Sequence, residues 1–158
     1  MSSELMNHEL LDSTLLGAWY VNLIEIERKK HFLFVNERTL ISFVCGGFKK
    51  SKNLKHDMHN LFISQLLTFF KELDFSLKSL DALMAEYENI TFSKTTSRSI
   101  LGSMNDLAQL YRHYVWFDGG LNSCDMNEII LRVNNTPQAN LGHKYSIDTA
   151  KAMLLRIA

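Results

Sequence analysis

Ala18-Trp19-Tyr20-Val21-Asn22-Leu23-Ile24-Glu25-Ile26, then Glu27-Arg28-Lys29-Lys30, then His31-Phe32-Leu33-Phe34-Val35-Asn36: this stretch decides the fold. β-Branched and aromatic residues flank a charged cluster, which reads as two strands joined by a turn. Asn36-Glu37-Arg38 supplies a second tight connection. Thr39-Leu40-Ile41-Ser42-Phe43-Val44-Cys45 is a third strand, closed by Gly46-Gly47. Both faces of these strands look apolar, so helices are expected over at least one side of the sheet.

Downstream the period changes. Met58, Leu61, Phe62, Gln65, Leu66, Phe69, Phe70 and Leu73 fall at helical spacing, predicting a helix from His56. A second helix is expected from Ser76 to Glu88, and a third from Ser99 to Phe117 with Gly119-Gly120 as its stop signal. Between them, Ile90-Thr91-Phe92-Ser93-Lys94 alternates and reads as a fourth, short strand. Asp125-Met126-Asn127-Glu128 resembles a capping box and opens a short helix to Val133, after which Pro137 blocks easy continuation. A last helix starts at Ser146. The predicted class is α+β: an antiparallel meander and a fourth short strand packed against about five helices. Residues 1–16 read as an N-terminal lead-in and 17–158 as a single domain.

Composition supports one globular unit. At 158 residues the chain is long enough to bury a core without staples. Its 17 basic and 17 acidic residues cancel, which excludes a whole-chain basic coat or acidic tail. One proline and seven glycines favour long regular elements over disorder. Cys45 and Cys124 do not make a disulfide framework and read as reduced thiols. Met1 to Asp12 carries Glu4, Glu9 and Asp12 and lacks the pattern of a signal peptide. The uncharged stretch Ser13 to Ile24 is too short to span a bilayer, so a cytoplasmic location is expected and no membrane partner.

The most distinctive segment is Thr95-Thr96-Ser97-Arg98-Ser99-Ile100-Leu101-Gly102-Ser103-Met104-Asn105-Asp106-Leu107. With Asn36-Glu37-Arg38-Thr39-Leu40 upstream and Asn135-Thr136-Pro137-Gln138 downstream, it resembles a family of small bacterial domains of unknown function. That pattern runs N-E-x-T-L, then R-S-x-L-G-S-M-N-D-L, then N-x-x-P, and the resemblance extends from about Gly17 to Ala158. It implies a bacterial or mobile-element source and a free-standing domain, with no reaction, ligand or catalytic residue attached.

Two sets of residues stand out as candidate surfaces. The first is the motif set Asn36, Arg38, Arg98, Ser103, Asn105 and Asp106. On a helical wheel Ile100, Leu101, Met104, Leu107, Ala108, Tyr111 and Val115 form a core stripe, with Ser99, Gly102, Asp106, Gln109 and His113 opposite. A Ser99–Asp106–His113 relay is geometrically poor, because Asp106 and His113 stand two turns, roughly 10 Å, apart along the axis. Glycine inside a helix costs about 1 kcal/mol relative to alanine, so a packing reason for Gly102 is expected. Arg98 and Asp106 are expected to anchor neighbouring loops; the alternative is a pocket.

The second set is basic. In a meander, the first turn and the end of the third strand share one end of the sheet. Arg28, Lys29 and Lys30 therefore gather with Lys49, Lys50, Lys52 and Lys55. Such an end suits phosphates or an acidic protein face; the plainer reading is solvated lysines that discourage strand pairing. His56 and His59 lie near one turn apart, but zinc needs three or four ligands and no further pair has suitable spacing. Trp19, Trp116 and the phenylalanines read as core rather than a stacking platform. No glycine-rich phosphate loop is present. No metal, cofactor or catalytic residue is expected. These features suggest an intracellular, non-enzymatic binding module for a protein or anionic partner, in an antitoxin-like or phage-defence accessory role. The alternative is a small enzyme acting on a small or nucleotide-like substrate at the Arg98–Asp106 helix start. Whether nucleic acid is the partner, and the oligomeric state, are left open.

Overall fold

The β-branched and aromatic runs form β1 (Trp19–Ile26), β2 (Lys29–Asn36) and β3 (Ser42–Gly46), an antiparallel sheet in the order β1-β2-β3. The computed structural model describes residues 18–46, 54–73, 76–87, 98–138 and 144–154. Within them lie five helices: α1 (Leu54–Glu72), α2 (Leu77–Tyr87), α3 (Arg98–Phe117), α4 (Met126–Asn134) and α5 (Ser146–Leu154). A two-stranded antiparallel ribbon, β4 (Pro137–Gln138) and β5 (Lys144–Tyr145), precedes α5. The architecture is α+β, as the sequence predicts. The strand expected at Ile90–Lys94 lies outside the described residues, and the β4–β5 ribbon was not foreseen.

The first turn is tighter than its charge cluster suggests. Lys29 and Lys30 belong to β2, pairing with Ile26 and Glu25, so Glu27 and Arg28 alone make the turn. Both sit in the left-handed region, at φ 51° and 65°. A two-residue hairpin needs that geometry because only then does the turn follow the strands' twist, yet it usually takes asparagine and glycine. Here the cost is offset from outside the hairpin. The Glu27 Oε2 accepts the Leu121 N–H at 3.0 Å, and Arg112 Nε donates to the Glu25 carbonyl at 2.8 Å.

The second connection is a buried polar knot. Asn36 Oδ1 accepts from the Arg38 N–H (3.1 Å), the Thr39 N–H (2.9 Å) and Thr39 Oγ1 (2.9 Å), while its Nδ2 donates to the Ala18 carbonyl. Thr39 Oγ1 in turn accepts the Ile41 N–H. With Thr39 held this way and Leu40 turned to φ 57°, ladder pairing resumes only at Ser42. The third strand therefore starts three residues later than its composition indicates.

Consecutive residues His31 to Asn36 are all buried, so both faces of β2 are covered. Side chains alternate along a strand, and Phe34 and Phe43, paired in register, share one face. Against them α1 sets Phe62, 5.3 Å from Phe34, and Phe69, 5.3 Å from Phe43, with Trp19 stacked on Phe43. The opposite face carries Val35 and Ser42, and it receives α3 and α4. At the far end His31 lies over Gly46, its cross-strand partner, where a Cβ would collide with the imidazole ring.

Ser42 is where the helices are tied to the sheet. Asn134, the last residue of α4, accepts the Ser42 N–H (2.9 Å) and donates to the Ser42 carbonyl (2.9 Å) and the Ile130 carbonyl (2.7 Å). One carboxamide thus pairs with the free edge of β3 as another strand would. Tyr111 of α3 donates its hydroxyl to the same carbonyl at 3.1 Å and meets Ser42 Oγ at 2.8 Å. Burial holds the Tyr111 hydroxyl well above its ordinary pKa, so it remains a donor. Asn134→Ala leaves buried backbone groups without partners and is expected to cost about 2–4 kcal/mol, against about 1–2 kcal/mol for Tyr111→Phe. Urea melts of the two variants test this order; equal, near-zero losses would show that the clamp contributes nothing.

Candidate functional site

α3 is the one helix that carries both the distinctive motif and a long exposed side. It ends at Gly119 and Gly120, both at positive φ, where the Gly120 N–H returns to the Val115 carbonyl. Ile100, Ser103, Met104, Leu107, Ala108, Tyr111 and Val115 are buried. This stripe matches the expected one except at its two edges. Ser103 is inside and Leu101 is 39% exposed. Ser99, Gly102, Asn105, Asp106, Gln109 and His113 all face out.

The motif residues consequently do not converge. Ser103 points into the core, whereas Arg98, Asn105 and Asp106 lie on the exposed side. Asn36 is consumed by the buried knot, and the Arg38 N–H belongs to it as well. Among the described residues no hydrogen bond or ion pair holds Arg98 or Asp106, so the expected loop anchoring is not found there. Nor do the described residues give a packing reason for the glycine: none of them lies within 4 Å of the position a Gly102 Cβ would take.

The C-terminal half of the same face overturns another expectation. Trp116 is 73% exposed and Phe117 70% exposed, so neither belongs to the core. The reason is registry: with Tyr111 and Val115 fixed against the sheet, the next two residues rotate away from it. The His113 ring lies 6.3 Å from Trp116 and 6.4 Å from Phe117, which extends the patch. The wheel position of Trp116 and Phe117, on the polar side of the stripe, was the available signal. Behind this patch Arg132 makes two hydrogen bonds to Asp118 (3.1 and 3.3 Å) and stands 5.0 Å over the Tyr114 ring, pinning α4 to the end of α3.

The basic end is described in part. Arg28, Lys29 and Lys30 are exposed at the hairpin tip, beside the loop that follows α3. Lys49, Lys50 and Lys52, with the side chain of Lys55, lie outside the described residues. An open cleft of about 610 Å3 runs between α1 and α2, lined by His59, Asn60, Ile63, Ser64, Leu67 and Met84; none of the predicted site residues lines it.

Burial keeps both thiols protonated more firmly than a free cysteine. Cys45 is free and buried, and burial pushes its pKa up to about 12, while Cys124 is free and also raised by desolvation. Among the described residues no group of three His, Cys, Asp or Glu is placed to hold a metal ion, and no helix is long and apolar enough to cross a membrane.

The model of a domain of unknown function, DUF6933, matches residues 2–149. The chain belongs to this family. The DUF6933 match takes in the N-terminal residues ahead of Gly17 and ends within α5. No curated protein and no solved structure matches the chain.

In this DUF6933 domain the exposed glycine and aspartate of α3 are expected to be dispensable for folding. Gly102→Ala should raise stability by about 0.5–1 kcal/mol, because an exposed helix interior gains from alanine and no described residue obstructs the new methyl. Asp106→Asn should stay within about 0.5 kcal/mol of the parent. Denaturant melts at low protein concentration read both; a destabilised Gly102→Ala variant would contradict the open geometry.

Proposed function

We propose that this DUF6933 domain is a cytoplasmic, non-enzymatic binding module that docks a partner on the outward face of α3. One observation carries the reading. A helix firmly held by its buried stripe presents an unfilled glycine position and two aromatic side chains, each exposed by 70% or more, on its opposite side. Exposed large aromatics on a monomer's surface mark interaction sites, and tryptophan is the residue most enriched where binding energy concentrates. The glycine costs the helix stability without a return inside the chain, as a residue chosen for close approach by a partner would. The outward splay of Arg98, Asn105 and Asp106 favours a flat docking face over a small-molecule pocket, which is why the enzyme reading ranks second. Two free thiols, one deeply buried, suit a reducing compartment. An antitoxin-like or phage-defence accessory role is compatible with a small docking domain.

A pull-down with the intact chain tests the face. The Trp116→Ala/Phe117→Ala variant should fold as the parent does, since both side chains are exposed, and should lose at least tenfold in partner retention. Equal retention by parent and variant would remove α3 as the docking surface.

A second reading is favoured by the hairpin tip. Arg28 is presented from a left-handed turn held in place by the Glu27 carboxylate on the Leu121 N–H, beside Lys29 and Lys30. Strained backbone persists where its surroundings over-determine it, and such places are often functional. We propose an anionic partner for this end. Arg28→Glu/Lys29→Glu/Lys30→Glu should then abolish binding of that partner with little change in melting temperature, and parent binding should weaken steeply with salt. Binding that is indifferent to both changes would exclude it.

A further inference from the structure

The outward face of α3 is divided by size. Its N-terminal half carries Ser99, Gly102, Asn105 and Asp106; its C-terminal half carries His113, Trp116 and Phe117. Gly102 and Trp116 stand seven residues before and after Gln109, about 10 Å along the axis on either side. We propose that the occupant of this face is a second copy of the same chain, with the two α3 helices antiparallel about a two-fold axis at Gln109. This rests on the reading of α3 as a docking surface and names its partner.

The pairing follows from helix geometry. In an antiparallel two-fold pair, a residue meets whatever lies at the same lateral side of the face and at the mirrored distance from the axis. At 100° per residue, Gly102 and Trp116 lie within about 40° of one another near the centre of the face. Each indole therefore enters the space in front of the partner's Gly102, where no described residue lies within 4 Å of a Cβ position. Asp106 and His113 share one side of the face within about 20°. Across the axis these positions set an acidic group beside an imidazole. Phe117 falls at the same wheel angle as Ser99, a second large-on-small contact. Arg98, one turn before Gly102, comes within reach of the partner's indole face. A parallel arrangement would instead stack bulk on bulk and small on small.

The area suffices for a reversible dimer. Four aromatic side chains of about 150–250 Å2, each some 70% exposed, contribute about 400–700 Å2, and the surface they cover adds a similar amount. The sum approaches the 1,200 Å2 or so at which specific interfaces begin.

Sedimentation velocity of the intact wild-type chain, from about 1 to 200 μM, should show monomer converting to dimer across that range. Gly102→Trp fills the notch from an open position, so circular dichroism should be unchanged while the dimer is lost. Trp116→Ala should lose it independently. A cysteine placed at the axis by Gln109→Cys should give an oxidised, disulfide-linked dimer, absent in the wild type and in Gly102→Trp/Gln109→Cys. A wild-type chain that stays monomeric throughout, or a dimer that persists in Gly102→Trp, overturns the proposal. If the monomeric chain still loses a host protein on Trp116→Ala, the docking face stands with a different occupant; if it loses nothing, both readings fall.

Discussion

The carboxamide of Asn134 on the backbone of Ser42 is the interaction from which the rest of the arrangement follows. It closes the free edge of β3 and fixes the end of α4 to the sheet at one residue. Tyr111 reaches the same serine, so α3 and α4 are positioned against a common point rather than against each other alone. A buried amide offers a stringent constraint because its donors and acceptor must all be satisfied at once. Once Tyr111 is seated, the rotation of α3 is set. A 20-residue helix then turns Gly102, His113, Trp116 and Phe117 outward along its length.

The opposite side of the sheet is held differently. There the aromatic rings of Trp19, Phe34, Phe43, Phe62 and Phe69 interlock at centroid distances of 5.1–5.3 Å for their closest pairs. Apolar packing sets how much surface is removed from water, whereas the Ser42 clamp sets register and orientation. The hairpin tip adds a third fixture. Its left-handed Glu27 and Arg28 stay in place because Glu27 and Glu25 are bonded to the loop and helix behind them. The basic residues at the tip are thereby held at the same end of the molecule as the exposed aromatics of α3.

Period and composition made much of this legible. The β-branched and aromatic runs through Trp19–Asn36, the helical spacing after His56, the glycine stop after Phe117 and the Asp125 cap all describe local preferences that the structure keeps. Asp125 does cap α4, through the Asn127 N–H at 3.0 Å. Membership in DUF6933 rests on the match across residues 2–149, which is likewise a property of the chain in one dimension. The charged connection between the first two strands was readable too, although pairing of Lys29 and Lys30 in β2 leaves Glu27 and Arg28 alone as the turn.

What local preference leaves undetermined is which polar residues are spent inside and which apolar ones are left outside. Asn36 and Asn134 look like surface residues by type, yet each is buried because a backbone from elsewhere in the chain needs its amide. Ser103 and Leu101 exchange places for a similar reason: neighbours in sequence stand 100° apart on α3, and the sheet accepts only the arc centred on Tyr111. Trp116 and Phe117 are as hydrophobic as any core residue, but the arc that the Ser42 clamp selects excludes them. Hydrophobicity is a property of the residue, whereas the face it occupies is set by contacts distant in sequence, and those exist only once the chain is folded.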